Sequence, residues 1–147
     1  EYSLWLAVAL AAVLGHMFSI FLKFKGGKGV ATSAGVILGV WPYFTVPAII
    51  GAGIWLAVFA ALRYVSVASM AAAAALPVLY VVIGVVKRWD IAGQQLPLLI
   101  FMLLVASLVI LKHRGNIARL RAGTEHRFGK GFRAARGDTN VPRSAAR

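Results

Sequence analysis

Four stretches of this chain, residues 2–22, 29–62, 64–86 and 91–111, contain no Asp, Glu, Lys or Arg. A helix rises about 1.5 Å per residue, so ~20 apolar residues cross the hydrocarbon core of a bilayer. Each run is long enough to span. The second, 34 residues from 29 to 62, is too long for one span and short of the ~40 that two full spans need. Pro42 and Pro47 lie inside it, beside Trp41, Tyr43 and Phe44. Proline interrupts a helix, and aromatic rings with a polar edge collect at membrane interfaces. The run therefore predicts a short helix to about Val40, a turn at the membrane surface, and a longer helix from about Pro47 to Leu62. This makes five membrane-embedded segments, one of them short, in an all-α polytopic helix bundle.

Of the 147 residues 61% are hydrophobic and 14% charged, against ~25% charged in an ordinary soluble domain. So apolar a chain excludes a soluble enzyme, a nucleic-acid-binding domain and a disordered protein. The chain has no cysteine, so thiolate metal sites, cysteine nucleophiles and disulfides are excluded. His16, His113 and His126 lack metal-site spacing, and no metal or cofactor is expected. The length suits one domain, residues 1–128, followed by a basic, poorly apolar tail over 129–147 that reads as disordered chain near anionic lipid. No nucleic-acid partner is needed to account for that tail.

The net charge is +12, from 16 Lys+Arg against 4 Asp+Glu. Alternating the spans puts the loop 23–28, Arg63 and everything from Lys112 on one side, and Lys87 and Arg88 on the other. That sorts 14 of the 16 basic residues to one side. The excess of Lys and Arg marks that side as cytoplasmic.

Three places on the basic side can carry chemistry. The loop Lys23-Phe24-Lys25-Gly26-Gly27-Lys28-Gly29 leads into a helix start. Its glycines let backbone N–H groups turn towards a ligand, the helix N-terminus adds partial positive charge, and Lys28 adds a full one. The design suits a phosphate; a flexible basic turn is the other reading. It is not a Walker A loop, which needs Ser or Thr where Gly29 stands. In Arg63-Tyr64-Val65-Ser66-Val67-Ala68-Ser69, the two serines share a helix face beside Arg63. They are either ligands for a polyol or phosphate, or an ordinary helix start. His113 and Asn116 form another i, i+3 pair, followed by Gly123-Thr124-Glu125. They can hold a hydroxyl or take a proton, or simply end a helix. His16, inside the first span, is either a functional group or a hydrogen-bond partner of the glycine loop. All of these fall on the same side, so one cationic, hydroxyl-lined pocket at the membrane surface could collect them. Such a pocket suits a substrate that joins a phosphate to a lipid chain.

The run Gly15-His16-Met17-Phe18-Ser19-Ile20-Phe21-Leu22-Lys23-Phe24-Lys25-Gly26-Gly27-Lys28-Gly29-Val30-Ala31-Thr32 resembles the central motif of the bacterial acyl-phosphate:glycerol-3-phosphate acyltransferases, the PlsY family. The run from Arg63 to Ser69 is similar to the next motif, and His113 to Leu120 with Gly123-Thr124-Glu125 to the C-terminal block. Order and spacing agree over roughly residues 4–128. Ser19 stands where the family pattern has Pro, and the family's Ser-Gly-Asn motif is not in this chain. The resemblance implies a seven-helix enzyme of the bacterial inner membrane, multi-pass, with its active site and C-terminus cytoplasmic. Five segments here imply two more upstream, carrying the missing motif, so the chain is expected to be an N-terminally truncated member. The reaction implied is acyl transfer from acyl phosphate to glycerol 3-phosphate in phospholipid synthesis, giving 1-acyl-glycerol 3-phosphate (lysophosphatidic acid) and phosphate.

Acyl phosphate is a mixed anhydride, already activated, so no covalent intermediate is required. None of the three histidines is followed four residues later by Asp, so His–Asp dyad chemistry is missing. Catalysis by positioning and charge neutralisation is the expectation. Lys28 and His113 are the expected catalytic residues. Gly26, Gly27 and Lys28 are expected to hold phosphate, and Ser66, His113 and Asn116 to hold glycerol 3-phosphate. His16, Arg63, Ser69 and Glu125 are further candidates. A substrate phosphate oxygen or His113 takes the proton, and the acyl chain lies between helices. The competing readings are a transporter or flippase for a phosphorylated solute, and a non-catalytic membrane protein that binds anionic lipid.

Overall fold

The computed structural model describes residues 2–19 and 27–129. Six helices follow one another: α1 Tyr2–Met17, α2 Val30–Gly39, α3 Thr45–Leu62, α4 Val65–Val86, α5 Leu96–Lys112 and α6 Arg114–Arg121. The first five fall on the five segments expected from the charge-free runs. Pro47 lies in the first turn of α3, where its missing N–H leaves no helical bond unmade. The predicted tail from residue 130 onward, and Lys23, Lys25 and Gly26 of the loop, lie outside the described residues.

Among the described residues, α3 and α4 are long and apolar enough to cross a membrane. The pair α5 and α6, bent by 49° at its break, makes a third span if counted as one, and α1 and α2 are shorter apolar helices. Among the described residues there are therefore fewer helices of crossing length than embedded segments. α1 packs on α2 and α5, α2 on α3, α3 on α4, and α4 on α5. This closes a ring around a core that includes Val13, Met17, Ile37, Phe44, Tyr80, Phe101 and Val105. Outside the ring, Ile49, Leu56, Val78, Val82 and Val85 are each more than half exposed. Apolar faces of this extent, on helices whose backbone bonds are satisfied internally, require lipid rather than water. This is a membrane protein.

Two features order the ends of the ring. Arg63 adopts φ 61, donates its N–H to the Phe59 carbonyl at 2.8 Å, and hands over to an extended Tyr64. Two residues thus reverse the chain between α3 and α4. At the opposite end, the Asp90 carboxylate accepts the N–H groups of Gly93 and Gln94 at 3.1 and 3.0 Å. Asp90 is thereby spent on a turn, away from the candidate chemistry. Trp41 is 75% exposed, as an interfacial residue should be, but Phe44 is fully buried. Its ring centroid lies 5.7 Å from Tyr80 and 6.0 Å from Phe101. Phe44 therefore belongs to the core and not to the interfacial aromatic group that the sequence suggested.

Candidate functional site

The polar end of the ring is tied together before any ligand arrives. Lys112 donates from Nζ to the Met17 carbonyl at 2.6 Å and sits 4.0 Å from the Phe18 ring centroid. This joins the C-terminal ends of α1 and α5. Gly29 precedes α2 in the left-handed region, φ 74, and a Cβ there would collide with the Met17 side chain. A Cβ on Gly27 would run into the His16 imidazole. These glycines serve close approach to α1 as well as turning, which spacing alone does not reveal. Gly29→Ala is expected to destabilise the protein by at least the ~1–2 kcal/mol that a left-handed L-residue costs. A thermal unfolding temperature within a degree of wild type would contradict this account of the loop.

His16, Gly27, Lys28, Gly29, Ser69 and His113 wall a cavity of about 500 Å³, completed by Val30, Trp55 and Val65. Five of the residues expected at the site from sequence, His16, Gly27, Lys28, Ser69 and His113, therefore meet in one place. His113 lies at the break between α5 and α6, past the charge-free run 91–111 and flanked by the charged Lys112 and Arg114, and is 1% exposed. Its Nδ1 is 2.7 Å from the Val109 carbonyl oxygen. A carbonyl only accepts, so Nδ1 carries the proton and Nε2 of the neutral ring holds the free lone pair. Burial lowers the His113 pKa; the Val109 bond raises it, the Lys28 charge lowers it and Glu125 raises it, with a net result below the ordinary 6.5. At neutral pH the ring is thus an uncharged acceptor, the form a general base needs.

Ser66, Asn116 and Glu125 come together behind this cavity. α6 ends with Gly123 at φ 69, with Thr124 N–H bonded to the Arg119 carbonyl at 2.9 Å and Gly123 N–H to Leu120 at 3.2 Å. That pair of bonds is a Schellman ending, for which glycine suits the left-handed position. The turn sends Glu125 back to the start of α4. There its Oε1 accepts the Ser66 hydroxyl at 2.7 Å and the Asn116 amide, and its Oε2 accepts Arg119 Nε at 2.7 Å. Against the opposing cost of burial, the bonds from Asn116, Ser66 and Arg119 hold the Glu125 pKa at about 2. The Ser66 hydroxyl proton and one of the two Asn116 amide N–H groups, both residues expected to face substrate, are directed to a carboxylate. Arg63 is exposed at the α3–α4 corner; its carbonyl accepts the Phe128 N–H at 2.9 Å, and Phe128 packs edge-on to Phe59.

The sequence reading missed a second, apolar chamber of about 530 Å³ inside the ring. It shares Val30, Trp55 and Ser69 with the polar cavity. Ala34, Ala52, Ala72, Ala73 and Ala106 line it; small side chains on four helices leave the space open. Ala72 and Ala73, from the run of five alanines at 71–75, contribute to this wall. Among the lining residues, Leu38 of α2 and Ile49 and Leu56 of α3 are 52%, 62% and 61% exposed. The chamber therefore opens sideways between α2 and α3, towards lipid.

Known proteins resemble this arrangement over most of its length. A family model described as "Glycerol-3-phosphate acyltransferase" matches residues 2–123. A glycerol-3-phosphate acyltransferase of Geobacter sulfurreducens is 50% identical over 123 residues, covering 83% of this chain and 57% of the relative. One of Geotalea daltonii is 45% identical over 127 residues, covering 85% and 59%. A crystal structure of PlsY, an integral membrane glycerol 3-phosphate acyltransferase, in its glycerol 3-phosphate form superposes with a TM-score of 0.73 at 39% identity, covering 88% of this chain and 60% of that one. The lysophosphatidic acid form gives 0.69 at 42% identity, covering 82% and 55%. The chain spans a little over half the length of the relatives it matches.

Proposed function

The chain belongs to the glycerol-3-phosphate acyltransferase family, and we propose that it builds a centre that transfers an acyl group from acyl phosphate to the 1-hydroxyl of glycerol 3-phosphate. The products are 1-acyl-glycerol 3-phosphate and phosphate. The observation that carries this reading is the junction of the two cavities. A polar cavity with a lysine, a glycine loop and a histidine meets an apolar chamber open to lipid at Val30, Trp55 and Ser69. A substrate with a phosphate at one end and an alkyl chain at the other fits that sequence of environments. The Lys28 ammonium and the N–H groups at Gly27 and the start of α2 hold phosphate. Gly26, assigned to the same loop from sequence, lies outside the described residues. The free lone pair of His113 orients the attacking hydroxyl or takes its proton. Ser66, with its proton on Glu125, offers an acceptor oxygen to the glycerol hydroxyls, and Asn116 offers its acceptor oxygen and its second amide N–H. The basic side that carries this site is the cytoplasmic face of the bacterial inner membrane, by the excess of Lys and Arg there.

Acyl phosphate brings its own activation, so the reading needs no cofactor. In proteoliposomes holding the full-length protein, labelled glycerol 3-phosphate and acyl phosphate should yield lysophosphatidic acid and inorganic phosphate in equal amounts, and acyl-CoA should yield neither. Accumulation of glycerol 3-phosphate inside the vesicles without acylated product would replace this reading with transport.

A further inference from the structure

The apolar chamber has just two hydroxyls among its described lining residues, Ser33 on α2 and Ser69 on α4. They are 5% and 3% exposed. Ser69 Oγ accepts Trp55 Nε1–H at 3.1 Å. That contact uses a lone pair and leaves the hydroxyl proton, for which no described residue is an acceptor. Ser33 Oγ is buried without any hydrogen-bond partner among the described residues. Buried hydroxyls are normally paired, so two spare donors on one otherwise apolar wall call for a ligand atom. Their position identifies its chemistry. Ser69 lies at the junction of the two cavities. Ser33 is one helical turn beyond Val30 and Gly29, its N–H bonded to the Gly29 carbonyl at 2.8 Å. With phosphate at Lys28 and alkyl chain in the chamber, the group between them is the acyl carbonyl, whose oxygen accepts two hydrogen bonds.

We propose that Ser69 and Ser33 donate to the acyl carbonyl oxygen of the donor, with Trp55 as the positioning residue that orients Ser69. The proposal rests on the acyl-transfer reading above and supplies the oxyanion donors which that reading leaves unassigned. The acceptor hydroxyl oxygen forms a bond to the carbonyl carbon, and the carbonyl electron pair moves onto its oxygen, whose developing charge the two serine O–H groups stabilise. As that pair returns, the carbon–oxygen bond to phosphate breaks. Phosphate leaves with the bonding electrons, and the proton of the attacking hydroxyl passes to it directly or through His113. The serines keep their protons throughout. Donors placed where charge develops act most strongly in a site that excludes water.

The test compares Ser69→Ala, Ser33→Ala, the double variant and Trp55→Phe in the full-length protein. It pairs steady-state kinetics with the infrared band of a ¹³C-carbonyl β-ketophosphonate, in which a methylene replaces the bridging oxygen of acyl phosphate. Ser69→Ala should lower kcat roughly 10–100-fold with little change in KM for glycerol 3-phosphate, and the double variant should lower it further. Trp55→Phe should cost less than Ser69→Ala, because the hydroxyl survives. The bound carbonyl band should lie at lower frequency in wild type and return towards its free value in the double variant. Unchanged kcat in the double variant overturns the proposal. So does a loss of kcat with an unmoved band, which would mark a structural effect. Absence of transfer by wild-type protein would instead remove the acyl-transfer reading, while the band would still test the two hydroxyls.

Discussion

Lys28→Ala is expected to lower kcat/KM for acyl transfer by about 10²–10³-fold, and His113→Ala by a comparable factor. The two residues face one cavity, and the Lys28 charge is felt at His113, whose pKa it helps to lower. Removing Lys28 takes away the full positive charge opposite a phosphate that gains charge as the acyl bond breaks. Lys28→Arg should recover part of the loss, since it restores charge but not the compact ammonium. His113→Gln keeps an amide that can orient a hydroxyl but has no basic nitrogen, so it separates orientation from proton transfer. In wild type, protonating His113 removes its acceptor, so activity should fall as pH drops through a pKa below 6.5. That acidic limb should be missing in His113→Gln. Near-wild-type rates in both alanine variants, with unfolding temperatures unchanged, would remove the phosphate and base roles together.

The helices were legible because the bilayer imposes a simple rule. A run without charge, closed by Lys23, Arg63, Lys87 or Lys112, can hardly be anything but a membrane segment. The lengths were less legible. α2, with 10 residues, is the short helix that the 34-residue run and its prolines implied, but α1 ends at Met17, short of its 21-residue charge-free run. Gly27, Lys28, Gly29 and His113, which line one cavity, could be singled out from sequence because each carries its chemistry in its own residue type. That Ser66 and Asn116 share one carboxylate was not legible. Their partner, Glu125, is 59 residues from Ser66, and the turn that returns it depends on Gly123 at positive φ. The apolar chamber was invisible for a different reason. Alanines at 34, 52, 73 and 106 look like ordinary helix formers until four helices place them around one space.

Glu125→Ala is expected to be the most damaging change outside the cavity. Glu125 gathers Ser66, Asn116 and Arg119 onto one carboxylate that is 7% exposed. Truncation leaves two buried donors, on α4 and α6, without an acceptor, at ~1–3 kcal/mol each. It also frees the segment whose Phe128 backbone is bonded to Arg63. The expected result is a loss of several degrees in unfolding temperature and of acyl transfer with it, because His113 immediately precedes the helix that Glu125 ties down. The ionised carboxylate adds a pH signature. Its pKa is about 2 in the folded protein against an ordinary 4.5, so the unfolded chain binds the proton first. The stabilisation is therefore complete above pH 4.5 and is lost as pH falls towards 2. A shift of this size corresponds to at most about 3–4 kcal/mol. Because Arg119 is 51% exposed, solvent screens its share and the true value is smaller. Glu125→Gln, which keeps an acceptor and loses the charge, should unfold at lower temperature than wild type at pH 7 and show a weaker decline between pH 4.5 and 3. If Glu125→Gln and wild type lose stability in parallel across that range, the carboxylate is not what holds α4 and α6 in register.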